Sequence, residues 1–244
     1  MRTPASYSIA GVKPRDPVPL PPSRDGRYTR GTVDYRYLAI EGPVGVGKTA
    51  LAERLAVRVD ATAILEDGEN PFLADFYQDT PGAAFQTQLF YVLSRHRQLA
   101  GLRQTELFSQ VTICDYLFDR DRIYAYLSLD DNELFIYQRL YELLVREIPQ
   151  PDLVVYLQAP TDLLVKRLRE RARDPEQGAP RLDPAYVKEL NEAYQHFFFH
   201  YTTTPLLVVE TSHIDFGRSD EAVDDLIRQI AAMGRGTQYY VPRQ

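Results

Sequence analysis

Gly42-Pro43-Val44-Gly45-Val46-Gly47-Lys48-Thr49 reads G-x-x-x-x-G-K-T, and its neighbours give it a place in a fold. The apolar run Tyr37-Leu38-Ala39-Ile40 before it suits a buried strand. After it, Ala50-Leu51-Ala52-Glu53-Arg54-Leu55-Ala56 combines good helix formers with apolar residues at helical spacing. Strand, glycine-rich loop and helix form the context in which such an octet cradles phosphate. Gly42, Gly45 and Gly47 let the backbone aim N–H groups at phosphate oxygens. The helix start at Lys48, Thr49 and Ala50 adds partial positive charge. Lys48 is expected to reach the terminal phosphates, and the Thr49 hydroxyl to ligate magnesium. The pattern implies a nucleoside triphosphate site with magnesium.

Beyond residue 36, strand-like and helix-like segments alternate. Strands are expected at Arg36–Glu41, Ala61–Glu66, Val111–Asp115, Asp152–Gln158 and Pro205–Glu210. Helices are expected at Lys48–Val59, Pro71–Tyr77, Pro81–Arg103, Asp131–Ile148, Thr161–Arg173, Asp183–Tyr201 and Ser219–Met233. Asn70-Pro71 and Thr80-Pro81 carry a capping residue before a first-turn proline. Such alternation gives an α/β fold with a five-stranded parallel sheet, helices on both faces, and ligands at the carboxyl ends of the strands. Glu66 and Asp115 fall at those ends, on the P-loop edge.

The 244 residues fit one large domain better than two. Residues 1–30 hold six prolines and few large apolar groups, the composition of a flexible tail or of an arm that orders on a partner; residues 31–244 form the expected domain. The net charge of −6 and the lack of a basic stripe argue against a nucleic-acid partner. No apolar run approaches the ~20 residues of a membrane span, so no membrane partner is expected. Cys114 is the lone cysteine, which excludes an intrachain disulfide and a cysteine metal cluster. A reducing, cytoplasmic setting is the default expectation. His196 and His200 stand four apart, but Phe197-Phe198-Phe199 between them reads as core packing rather than a metal site.

Several side chains suit phosphoryl transfer. Val111-Thr112-Ile113-Cys114-Asp115 is an apolar strand ending in an acid that can assist a metal bridging the phosphates, or simply cap a turn. Glu66 can accept or orient the proton of an attacking hydroxyl, or be a surface acid beside Asp67 and Glu69. In Lys166-Arg167-Leu168-Arg169-Glu170-Arg171-Ala172-Arg173, Arg167 and Arg171 share a helix face. They suit an arginine lid over a transferring phosphoryl group, or a solvated helix end. Gln88 and Arg95, seven apart, share a face of one helix.

Taken in order, these residues resemble the deoxynucleoside kinase family over roughly 36–216. The resemblance rests on the P-loop, Asn70-Pro71-Phe72-Leu73 with Phe76-Tyr77, and Phe85-Gln86-Thr87-Gln88 leading to Leu93-Ser94-Arg95. It continues through Asp115 to Arg122, Val155-Tyr156-Leu157-Gln158, the arginine run with Glu176-Gln177-Gly178, and Ile214-Asp215-Phe216. It implies that Glu66 is the catalytic base and that Tyr77 and Glu176 hold the sugar 3′-hydroxyl. Gln88, Arg95 and Asp121 would then read the base, Arg167, Arg171 and Arg173 form the lid, and Asp215-Phe216 meet the adenine of ATP. A homodimer and inhibition by the end-product triphosphate are implied as well. In one place the chain departs: where many members have acid-Arg-Ser after the third strand, it reads Asp115-Tyr116-Leu117. Either Arg120 or Arg122 supplies the missing cation, or turnover is lower, or the lid carries more of the load.

The expected reaction is transfer of the ATP γ-phosphate to the 5′-hydroxyl of a deoxynucleoside, purine favoured and deoxycytidine possible. A nucleoside monophosphate kinase of the thymidylate type is the alternative within enzymes. A non-catalytic accessory protein on the same fold is the alternative outside them. No N-K-x-D guanine-reading motif points to a GTP switch.

Overall fold

The computed structural model describes residues 35–66, 69–104, 111–173 and 182–242. The expected tail over 1–30 lies outside the described residues, as do Glu176 and its neighbours Gln177 and Gly178. The chain runs β1 Tyr37–Glu41, α1 Lys48–Val59, β2 Thr62–Ile64, α2 Leu73–Phe76, α3 Ala83–Gln104, β3 Thr112–Cys114. A 3-10 turn at Phe118–Arg120 leads into α4 Asp121–Ser128, followed by α5 Asp131–Leu144, β4 Leu153–Gln158 and α6 Thr161–Arg171. The chain ends with α7 Pro184–Phe199, β5 Leu206–Glu210, α8 Asp220–Ala231 and β6 Thr237–Tyr240.

All strand pairs are parallel, in the order β2-β3-β1-β4-β5-β6. The sheet therefore has six strands, one more than the alternation predicts. β6 is a short, mostly exposed edge strand without a hydrophobic period, and pairing with β5 alone defines it. α4 is also additional: its eight residues mix charge with aromatics, and tertiary packing supplies its buried face at Ile123 and Ala125.

Side chains alternate between the two faces of the sheet with the period of two that pleating imposes, and along β1, β4 and β5 both sets are buried. Leu38 and Ile40 of β1, Val155 and Leu157 of β4, and Leu207 and Val209 of β5 pack with α1, α6 and α8. Ala39, Val154, Tyr156, Leu206 and Val208 face the other way, toward α4 and α7. Tyr37 and Cys114 join the layer of α3 and α5 through Val92, Leu99, Tyr137 and Tyr141. With both faces covered, the open edge at the carboxyl ends of the strands is left for ligands.

β1 lies in the centre, and its exit is tight. Gly42 has φ 155°, and a Cβ there would stand 2.4 Å from the Leu157 carbonyl oxygen of β4. Gly47, the residue before α1, has φ 105° with open space around it. Gly42→Ala should thus destabilise the fold by about 2–4 kcal/mol, combining strain with a backbone clash. Gly47→Ala should lose only the strain part, roughly 1 kcal/mol. Urea unfolding of both variants checks the order; equal losses would mean that β4 does not confine the P-loop entrance.

Candidate active site

The strand registers decide where the acids emerge. Ala39 and Ile64 are both level with Cys114, so Glu41, Asp115 and Glu66 leave three neighbouring strands at one edge. Asp115, 2% exposed, binds in two directions. Its Oδ2 accepts from the Thr49 hydroxyl at 2.5 Å, and its Oδ1 from the Glu66 N–H at 2.7 Å. A single carboxylate thus joins the first turn of α1 to the segment that follows β2. The Asp115–Thr49 pair offers two hard oxygens side by side, which fits the ligand chemistry of magnesium.

Glu66 is set between two arginines. Arg120 Nη2 donates to both of its oxygens, at 3.0 and 2.9 Å, and Arg95 Nη2 donates to Oε1. Burial pushes the Glu66 carboxyl up, but the charges of Arg120 and Arg95 outweigh it and hold the pKa at about 2. The group is therefore anionic throughout the physiological range.

Lys48 folds back on its own loop, its Nζ donating to the Gly42 carbonyl at 2.7 Å. Burial lowers its pKa, against the pull of Glu41. Phosphate oxygens arriving at the loop would compete with that carbonyl for the ammonium. Arg167, on the face of α6 toward the P-loop, donates to the carbonyls of Thr211 at 3.0 Å, Ile214 at 3.3 Å and Val46 at 3.4 Å. It clamps α6 to the P-loop and to the segment carrying Asp215 and Phe216. Arg171 and Arg173 are exposed at the end of that helix. Phe216 is buried, and its carbonyl accepts from Arg54 of α1 at 2.9 Å; Asp215 is exposed, its Oδ1 accepting from the Gly217 N–H at 2.9 Å. Gly217 lies against Ala50, so this segment rests on the start of α1.

The proposed base-reading residues form a buried group next door. Arg95 Nη1 pairs with Asp121, which is 1% exposed. The Arg95 guanidinium lies 4.7 Å from the Tyr91 ring and 5.6 Å from the Tyr116 ring, a favourable cation–π setting. Gln88, also buried, donates to the Ser128 hydroxyl at 3.3 Å. Tyr77 is half-exposed at the end of α2, and burial raises its pKa to about 12, with Tyr91 and Tyr124 adding to the shift. Burial raises the Tyr186 hydroxyl as well, with Tyr124 and Tyr77 adding to it, so the end of α2 and helices α3, α4 and α7 each bring a tyrosine to one region.

Sequence reasoning overlooked Glu41. It is fully buried; its Oε1 accepts from the Gly42 N–H at 2.8 Å and the Tyr194 hydroxyl at 3.2 Å, its Oε2 from the Leu117 N–H at 2.8 Å. Its signal was an acid closing an otherwise apolar strand directly before the P-loop. Tyr91, Tyr124 and Tyr186 had no such signal, since aromatic residues on amphipathic helices read as core. Tyr116, the departure from the family pattern, is buried and donates its hydroxyl to Gln98 at 2.8 Å.

A parallel sheet with a P-loop at its switch point, an acid on the P-loop threonine and an anion held between arginines define a P-loop phosphotransferase. The chain belongs to the deoxynucleoside kinase family: a family model described as Deoxynucleoside kinase matches residues 38–233. A deoxyguanosine kinase of Bacillus subtilis is 32% identical over 161 residues, covering 65% of this chain and 76% of that one. A deoxyadenosine/deoxycytidine kinase of the same organism is 24% identical over 204 residues, covering 80% and 92%. Among solved structures, a deoxyadenosine kinase from M. mycoides with bound dATP superposes with a TM-score of 0.64. It is 23% identical and covers 81% of this chain and all of that one, a likeness that establishes the fold.

The pairing of Glu66 has a pH signature. Its folded pKa of about 2 lies below the ~4.3 of a free glutamate, so its contribution is complete above that value and fades as pH falls toward 2. Glu66→Gln, which leaves two buried arginines short of an anion, should cost roughly 2–3 kcal/mol at neutral pH. The gap to the wild type should close between pH ~4.3 and ~2. Urea unfolding of both proteins across that range measures it; a gap independent of pH would mean that Glu66 is not ion-paired.

Proposed function

We propose that the chain transfers the γ-phosphate of ATP to the 5′-hydroxyl of a deoxynucleoside, with a purine nucleoside as the favoured acceptor. The observation that carries this reading is the chain of contacts Thr49–Asp115–Glu66, which couples a phosphate-binding loop to a fixed carboxylate. In the reaction the 5′-oxygen bonds to the γ-phosphorus, the bond to the bridging β,γ-oxygen breaks, ADP departs, and the hydroxyl proton passes to Glu66. A carboxylate with a pKa of about 2 is a weak base but a firm hydrogen-bond acceptor. It suits a loose transition state, in which the attacking hydroxyl needs alignment early and loses its proton late. Thr49 and Asp115 would hold magnesium, which when bound neutralises charge on the phosphates. Lys48 and the lid arginines Arg171 and Arg173 would meet the transferring group, and Tyr77 and Glu176 the sugar 3′-hydroxyl.

Base choice rests on the buried Arg95–Asp121 pair with Gln88. Arginine offers only donors and an ionised aspartate only acceptors. Adenine and cytosine present an amino donor beside a ring acceptor, and guanine offers a carbonyl and N7 to the arginine. Thymine leaves the carboxylate facing a carbonyl or a methyl. The names of the relatives, deoxyguanosine and deoxyadenosine/deoxycytidine kinases, favour the same acceptors. A homodimer is supported by exposed Phe135, Ile136 and Leu143 on α5 with Leu93 on α3. The lone buried Cys114 suits a cytoplasmic setting, and phosphorylation of a deoxynucleoside suits a salvage role.

Steady-state kcat/KM for all four deoxynucleosides with ATP and magnesium tests the reading. Deoxyadenosine, deoxyguanosine or deoxycytidine should exceed thymidine by ~10-fold or more. Thymidine as the best acceptor would overturn the base-reading assignment, and no turnover with any of the four would overturn the kinase reading. Lys48→Ala should keep the fold and lose at least ~100-fold in kcat, as when a transition-state donor is removed. Wild-type turnover in that variant would place the chemistry elsewhere.

A further inference from the structure

We propose that Arg120 is the positioning residue of this site: it fixes the Glu66 carboxylate against the phosphate loop and keeps a free donor for the transferring phosphoryl group. The inference rests on the kinase reading above and assigns a role that the motif positions do not.

Arg120 closes the 3-10 turn and is 6% exposed. One of its nitrogens, Nη2, takes both Glu66 oxygens, while Nε lies 4.0 Å from Oε2 of Glu41. Glu41 in turn accepts from the N–H of Gly42, the first glycine of the P-loop. The guanidinium therefore ties the acceptor-side carboxylate to the donor-side loop. Its ring neighbour is Tyr124, 5.4 Å away. Nε and Nη1 are buried without a hydrogen-bond partner among the described residues. A buried donor left open is costly unless a ligand completes it. Lys48 stands at the same corner of the loop: its Nζ donates to the carbonyl of Gly42, whose N–H is held by Glu41. Two cations at one corner of the P-loop suit the oxygens of a phosphoryl group.

The other cations near Glu66 are committed. Arg95 also pairs with Asp121, and an incoming base would draw on that pair. Among the described residues, only Arg120 holds Glu66 independently of the base. Tyr116, next to Asp115, turns into α3 and lies against Arg95. Arg122, the other nearby arginine, lies over the Tyr141 ring at 5.5 Å, beside Asp119. The cation beside Glu66 thus comes from four residues further along the chain than Tyr116, by way of the turn.

Full-length wild type, Arg120→Met, Arg120→Lys and Arg122→Met are compared for kcat, KM for ATP and for deoxyadenosine, and melting temperature. Arg120→Met should lose ~100-fold or more in kcat with little change in the KM for ATP. Arg120→Lys keeps the charge but not the planar fork with its open Nη1 donor, so it should melt like the wild type with an intermediate kcat. Arg122→Met should match the wild type. Equal effects in Arg120→Met and Arg122→Met would overturn the proposal, as would a raised KM for ATP with an unchanged kcat in Arg120→Met. If Arg120→Met fails to fold, Arg120→Lys decides: wild-type kcat there also overturns it. A wild-type chain that phosphorylates no deoxynucleoside would sink the underlying reading instead.

Discussion

Three carboxylates leave adjacent parallel strands at one edge of the sheet, and much of the site answers that concentration of negative charge. Glu41, Asp115 and Glu66 arrive together because a parallel register fixes where each strand ends. Buried anions need hydrogen bonds or cations, or they protonate. Each has a different solution. Glu41 is satisfied by backbone N–H groups and a tyrosine, Asp115 by a hydroxyl and a backbone N–H, and Glu66 by two arginines. Only Glu66 is left partly open to a substrate, and it is the one whose charge is secured by cations rather than by the backbone.

The second constraint is on the arginines. Arg95 reaches from α3 to two acids and is braced on both sides by aromatic rings, one of them Tyr116. The residue that departs from the family pattern is therefore part of the wall that holds Arg95. Arg167 illustrates the same economy on the nucleotide side. It was expected as a lid residue facing phosphate, and here its donors hold three backbone carbonyls from the P-loop and the segment after β5. Arg171, the last residue of α6, and Arg173 just beyond it are left exposed.

What the sequence by itself determined was the local part: the octet Gly42–Thr49, the helix after it, and the alternation that makes the sheet parallel. Such features depend on glycine geometry and side-chain period within a few residues, so they are written in the order of the chain. Asp115 and Glu66 were legible too, as acids at strand ends. Tertiary structure decided the rest. β6 exists only because β5 offers it an edge, and α4 because Ile123 and Ala125 find a core. Whether Arg120 or Arg122 stands by Glu66 depends on a 3-10 turn that sends one side chain to the sheet edge and the other to Tyr141. Glu41 gave an acid in an apolar strand, but its partners lie 76 and 153 residues away in Leu117 and Tyr194. Electrostatic partnership acts through space, and two arginines two residues apart read alike until the fold separates them.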